Sequence, residues 1–229
     1  MQEELNEKLN QARILKKHFK LEETVSLLKE CLELDPSCLI ASAQIGFCLL
    51  LLGRPEEAEP FLEKTFEETS RKDIPIGAFL AACLTSLGKE KQADDILPLI
   101  SKDKFSAAET YMLVAEMLSE KKRDEQAVRL IDALSTRFVK DDFFIYPVNH
   151  YRIIRVLAHS GLADIAKQLA DALEENAPDS WEVLAAKASV AIAEKKYEEA
   201  YQLTVRALKN GGTSYPLLAA QQHWLAINK

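Results

Sequence analysis

Four cysteines and four histidines are the residues of this chain best suited to metal or nucleophile chemistry. Their spacing supports neither. Cys31, Cys38, Cys48 and Cys83 form no C-x-x-C pair, and His18, His150, His159 and His223 form no H-x-x-x-H pair. A structural zinc needs four soft or imidazole ligands in such clusters, so no metal is expected. The acidic pairs Glu56/Glu57, Asp94/Asp95 and Glu198/Glu199 could do acid–base work, but each falls at the start of an expected helix. There a carboxylate complements the helix dipole. No nucleophile elbow, phosphate-binding loop, dinucleotide fingerprint or H-E-x-x-H motif occurs. The nearest approach to a polar cluster is Glu116, Tyr151, Arg155 and His159, and an ion pair across a groove accounts for Glu116 and Arg155. No catalysis and no cofactor are expected.

Composition narrows the partners. The formal net charge is −7, whereas a polyphosphate partner wants a concentrated basic face. The densest basic stretch, "RILKKHFK" from Arg13 to Lys20, reads as a solvated helix end. No nucleic acid is expected. The longest apolar stretch, Cys38 to Leu52, is interrupted by Ser42 and Gln44 and is shorter than the roughly 20 residues that span a bilayer. The charged N-terminus "MQEELNEKLNQAR" lacks an apolar signal core. No membrane insertion is expected, and free thiols without an export signal suggest a cytoplasmic protein.

The elements that would position any site come from a repeat. A small residue follows one or more charged residues early in an expected helix at Thr24, Ala58, Ala93, Ala127, Ala166 and Ala200, with steps of 34, 35, 34, 39 and 34 residues. Twelve residues upstream of each stand Ala12, Gly46, Ala81, Ala115, Ile154 and Ala188, and three further on stand Leu15, Leu49, Leu84, Leu118, Leu157 and Ala191. Small residues let two helices approach closely, and large ones fill the space beside them. Each unit is therefore a first helix (A), a tight turn and a second helix (B). Expected helices are 4–17 and 21–34, 38–52 and 55–69, 74–87 and 90–102, 106–120 and 124–138, 147–160 and 163–175, 181–194 and 197–210, then a lone helix at 214–227. Gly53, Gly88 and Gly161 mark turns; the first, fourth and sixth units lack a glycine there. Ser37, Asp73, Ser106, Ser180 and Ser214 are expected N-caps. Pro60 and Pro98 should kink or shorten their helices. The last helix should cover the array with a polar outer face that includes Gln221, Gln222 and His223.

This pattern resembles the tetratricopeptide repeat. The resemblance covers roughly residues 5 to 213 as repeats 5–38, 39–73, 74–107, 108–146, 147–180 and 181–213, with a capping helix at 214–227. It implies an all-α fold, a single right-handed α-solenoid of antiparallel helix pairs whose A helices line a concave groove. It implies a protein–protein interaction module, an adaptor or chaperone-like protein holding a peptide or amphipathic helix of a partner. Two other roles stay open: a structural or self-associating subunit, hence a homo-oligomer, and a regulatory module of a longer enzyme. A subset of the family clamps a C-terminal carboxylate with Lys and Asn on successive A helices. Only Arg13 stands near a matching place, and Gln44, Phe47, Phe79 and Ala82 do not complete a clamp.

Helical spacing from the buried small residue then selects the groove. The segment "GFCLLLLG", Gly46 to Gly53, is apolar in every direction, so Phe47, Leu50 and Leu51 are surplus to hairpin packing and should face the groove. Arg13, Lys16 and Lys17 make its N-terminal mouth basic. Met112 and Glu116 follow, then Tyr151, Arg155 and His159. Three fates compete for the oily rung: groove for a partner, packing within the chain, or a dimer contact. "DDFFIYP", Asp141 to Pro147, either plugs a widened joint or projects for recognition. Trp181 and Trp224 are expected to fill space between helices.

Overall fold

In the computed structural model, residues 2–100, 104–138, 142–214 and 216–228 are described, and among them there are thirteen α-helices and no strand. The hairpins are α1 (Gln2–Lys17) with α2 (Leu21–Leu34), α3 (Leu39–Leu51) with α4 (Pro55–Glu68), α5 (Ile74–Ser86) with α6 (Glu90–Ile100), and α7 (Lys104–Glu120) with α8 (Asp124–Arg137). Then come α9 (Pro147–His159) with α10 (Ala163–Asn176), α11 (Trp181–Ala193) with α12 (Tyr197–Lys209), and the single α13 (Pro216–Asn228). Short 3-10 turns, Asp142–Ile145 and Gly212–Ser214, precede α9 and α13. Contacts group the helices into two compact units, 1–138 and 139–229.

One turn is built six times. At Phe19, Gly53, Gly88, Lys122, Gly161 and Lys195 the backbone is left-handed, with φ between 55° and 82°. Each of these residues lies five before the small-residue marker. The next N–H bonds back across the turn: Lys20 to the Leu15 carbonyl, Arg54 to Leu49, Lys89 to Leu84, Arg123 to Leu118, Leu162 to Leu157 and Lys196 to Ala191, all between 2.8 and 3.1 Å. The left-handed residue's own N–H reaches the carbonyl three residues back in every case, as Gly53 does to Leu50 at 2.9 Å. These paired bonds are the Schellman closure of a helix end. The marker's N–H then opens the B helix, as Ala58 does to the Arg54 carbonyl at 3.1 Å. Turns without glycine keep the same backbone, at a cost on the order of 1 kcal/mol for a left-handed L-residue.

The small residues lie where the helices cross. Ala12, Ala81, Ala115 and Ala188 are fully buried, as are all six markers, Thr24 to Ala200. A β-carbon on Gly46 would stand 2.6 Å from Leu62 Cγ, so α3 and α4 touch closer than any side chain permits. Ser42, which interrupts the apolar run, donates to the Phe61 carbonyl across the same crossing at 3.1 Å.

In the first unit, α2 packs on α3 and α4 on α5; α7 and α8 both lie on α5, and α7 also reaches α3. Helix α5 is consequently buried almost all round, from Gly77 to Ser86 apart from Phe79. In the second unit α9 and α10 pack on α11, and α12 carries α13.

Caps follow the sequence in part. Asp73 accepts from the Ile76 N–H at 3.0 Å and Ser180 from Val183 at 3.3 Å. Ser37 instead donates to Asp35 at 2.7 Å, and Cys38 takes the N-cap position of α3 without a side-chain capping bond. Helix α7 starts two residues before Ser106, and the Ser106 and Ser214 side chains lie outside the described residues. Helix α4 runs unbroken through Pro60, and α6 carries Pro98 inside its described span, Glu90–Ile100.

Cys31, Cys48 and Cys83 are buried and Cys38 is half-buried. The Cys83 thiol donates to the Pro55 carbonyl at 3.2 Å. Burial pushes the Cys48 thiol up to about 11.

Gly46→Val should therefore destabilise the fold by about 2–3 kcal/mol through overpacking, read as a shift in the urea midpoint. Combined with Leu62→Ala the two losses should be markedly less than additive, because both act on one contact. A thiol reagent at pH 8 should label Cys38 quickly and the other three cysteines only in denaturant.

Candidate functional site

The oily rung of the first unit is divided between core and surface. Phe47 is half-buried: its ring stands edge-on to Phe79 with centroids 5.0 Å apart, and the Lys16 ammonium lies 5.6 Å from its centroid. Leu51 is half-buried, while Arg13 and Lys17 are exposed. Leu50 does not face a groove, being 1% exposed. Met112 is fully buried and Glu116 is 7% exposed. Ala82, Thr85 and Ser86 of the third hairpin, placed relative to Ala81 as Phe47, Leu50 and Leu51 are relative to Gly46, are all buried too.

The cause is the α7–α8 hairpin, which occupies the place expected for a ligand. Its turn is tied to the turn of the second hairpin, and the end of α8 to α6. Arg123 pairs with Glu56 and reaches the Gly53 carbonyl at 3.5 Å, and Gln126 donates to Glu56 at 3.4 Å. Arg137 bridges Glu90 at 2.5 Å and Asp94 at 3.0 Å. Between these anchors Tyr111 and Thr85 share a buried hydroxyl–hydroxyl bond of 3.0 Å, and burial pushes the Tyr111 phenol up to about 12. A cleft of about 550 Å³ remains beside the turns, lined by Glu56, Leu87, Lys122, Arg123 and Arg129 among others. Its Glu56–Arg123 and Glu125–Arg129 pairs are already made.

The second unit differs. Tyr151 is fully buried, edge-on to Trp181 at 6.0 Å, and so is core rather than groove. Arg155 is 7% exposed, whereas His159 is exposed. Arg155 and His159 on α9, Ile192 on α11, and Ala220, Gln221 and Trp224 on α13 surround an open cleft of about 340 Å³. Arg155 and His159 stand at positions that the helical spacing assigns to the groove, and Ile192 follows Ala188 by four residues as Leu50 follows Gly46. Trp224 does not merely fill space: it is 46% exposed while its ring stacks edge-on to Tyr197 at 5.7 Å.

Sequence spacing misses the α13 contribution because that helix is turned. Its polar residues point inward: Gln221 and Gln222 are half-buried, and Gln221 donates to Thr204 Oγ1 at 3.0 Å. His223 alone of the expected polar face is exposed. The available signal was compositional, since α13 contains no Lys, Arg, Asp or Glu.

At the 3-10 turn before α9, Phe143 is buried and its carbonyl accepts from Asn149 Nδ2 at 2.8 Å, while Ile145 and Tyr146 are 69% and 51% exposed. The segment both plugs and projects; Asp141 lies outside the described residues. No group of three or more His, Cys, Asp or Glu among the described residues is placed to hold a metal, and no described helix is long and apolar enough to cross a membrane.

The described residues thus form six hairpins that share one turn closure and one small-residue crossing. The array is tetratricopeptide-like. Solved structures similar to it over nearly the whole chain include a tetratricopeptide repeat protein from Parabacteroides merdae, 11% identical with a TM-score of 0.44, covering 98% of this chain and 99% of that one. The tetratricopeptide domain of P58(IPK) is 15% identical with a TM-score of 0.42, covering 98% of this chain and 65% of that one. PilF of Pseudomonas aeruginosa is 16% identical with a TM-score of 0.45, covering 100% of this chain and 99% of that one. No protein-family model matches the sequence, and no curated relative matches it.

Leu50→Ala should cost about 2–5 kcal/mol, the range for an aliphatic side chain removed from a packed core. Leu51→Ala, one residue on, should cost clearly less. Thermal unfolding of the two variants checks the division of the rung.

Proposed function

We propose that this chain is a protein-interaction module whose binding surface is the α9–α11–α13 face of the second unit. The supporting observation is the open cleft beside the half-exposed Trp224. A partner segment lays one aliphatic or aromatic side chain between Ile192 and Trp224, with Ala220 leaving room for it. Burying such an anchor contributes about 2 kcal/mol, roughly a thirtyfold change in affinity.

Charge selects the partner further. Helix α9 carries His150, Arg152, Arg155 and His159 and no acidic residue, and α13 carries no charge. Acidic residues of this unit concentrate on α10 and α12, at Asp164, Asp171, Glu174, Glu175, Glu198 and Glu199. An apolar anchor with acidic neighbours suits that contrast, and the complementarity aids encounter more than final affinity. The exposed Arg13 and Lys17, with Phe47 behind Lys16, form a smaller and separate patch on the first unit.

Panning a displayed peptide library against the intact protein tests the proposal. Enriched peptides should share an apolar anchor with nearby acids, and should lose at least tenfold in affinity against Ile192→Glu or Trp224→Ala. Enriched peptides that bind both variants unchanged, or no enrichment at all, would refute it.

A further inference from the structure

The cleft of about 550 Å³ beside the turn of the fourth hairpin holds more polar groups than its own contacts use. Six charged residues line it, three of each sign. Arg123 pairs with Glu56, and Arg129 with Glu125. Lys122 and Asp124 are left over: among the described residues the side chain of neither makes an ion pair or a hydrogen bond. Asp124 Oδ1 is buried and accepts no hydrogen bond. The same holds for Oε1 of Gln126, whose Nε2 is already given to Glu56. Buried acceptors without a donor are rare, because each has lost its hydration and gained nothing in return. Two of them on the wall of one cleft mark a place where donors come from outside the chain.

The cleft is shaped before any ligand arrives. The Arg129 guanidinium lies over Gly88, where a β-carbon would stand 2.5 Å from it. Arg123 is held by Glu56 and reaches the Gly53 carbonyl at 3.5 Å. Leu87 supplies an apolar wall. The volume falls within the roughly 300–1,000 Å³ of small-molecule sites.

We infer that this cleft binds a free α-amino acid. Once the pairs already made are set aside, one carboxylate, one neutral acceptor and one ammonium remain. That set is the complement of a ligand with an ammonium and a carboxylate side by side. The ligand's ammonium donates to Asp124 Oδ1 and Gln126 Oε1. Its carboxylate faces the Lys122 ammonium, which a flexible four-carbon stem carries across the two residues from Asp124. Its side chain lies along Leu87. A simple cation fits poorly, because three positive side chains and the N-terminal end of α8 oppose it. A simple anion fits poorly as well, because it leaves both buried acceptors without donors. A zwitterion meets both requirements through charge-assisted hydrogen bonds. All the lining residues belong to the first unit, so this site is separate from the peptide face of α9, α11 and α13.

Isothermal calorimetry of the full chain with glycine, L-alanine, L-leucine and L-glutamine, each up to about 10 mM, tests this. At least one should bind. Its N-acetyl derivative and its amide should each bind at least tenfold more weakly, because each lacks one of the two charges. Asp124→Asn and Lys122→Gln should each weaken binding at least tenfold while the helical circular dichroism is retained. Trp224→Ala, aimed at the peptide face, should leave it unchanged, so the two sites fail separately. No binding by any of the four, equal binding of the N-acetyl derivative or the amide, or binding indifferent to both substitutions would each overturn the proposal.

Discussion

Everything in this fold depends on reversing the chain between two helices within three residues, six times, in the same way. One residue enters the left-handed region, and two backbone N–H groups are returned to carbonyls that the ending helix leaves unpaired. The return direction is thereby set by the backbone. This explains why glycine is dispensable. Phe19, Lys122 and Lys195 hold φ of 55°, 60° and 61°, and the strain of each is offset by two hydrogen bonds that no other geometry supplies. It also explains why the marker lies five residues on: its N–H makes the first bond of the new helix, and its small side chain lies at the crossing.

Once the turns are alike, packing differences decide what each hairpin does. Gly46 lets α3 and α4 close to the point where Leu62 fills the space a β-carbon would take. The fourth hairpin has a larger effect. It lies on α5 and reaches α3, converting an inner face into interior. The Arg123–Glu56 and Arg137–Glu90 pairs at its two ends are partly exposed. Such pairs contribute little energy singly. The burial of Tyr111, Met112 and Leu118 between them holds the hairpin, and the ion pairs fix its register.

Legibility follows from this division. Thirteen helices, their turns and their crossing residues were readable because each is a local or periodic property, repeated often enough to separate signal from chance. The burial of Leu50, Met112 and Tyr151 was not readable. Helical spacing says that a residue points away from its own hairpin. It does not say whether solvent or another hairpin lies there, and for Leu50 the answer depends on a segment some 60 residues later. "GFCLLLLG" did announce that its helix is wetted on few sides, and α3 does bury Leu49 and Leu50 fully while Phe47 and Leu51 stay at the edge. The rotation of α13 was hidden for a related reason. Counting from the repeat places its glutamines outside, but Gln221 finds a hydroxyl on Thr204, itself bonded to the Ala200 carbonyl at 2.8 Å. A side chain that can satisfy its polar group inside costs little to bury.

That exchange has a consequence for the surface. A helix of fixed composition that turns its glutamines inward must turn something else outward, and the exposed described side chains of α13 are alanines, His223, Trp224, Ile227 and Asn228. Inner hairpins never face this choice, because the next hairpin covers whatever they present. For α13 it is resolved in favour of internal hydrogen bonds at the expense of exposed apolar area. The same rotation brings Trp224 and Ala220 beside Ile192. A single hydrogen bond to Thr204 thus helps to decide both which side chains line the cleft and which are left for solvent.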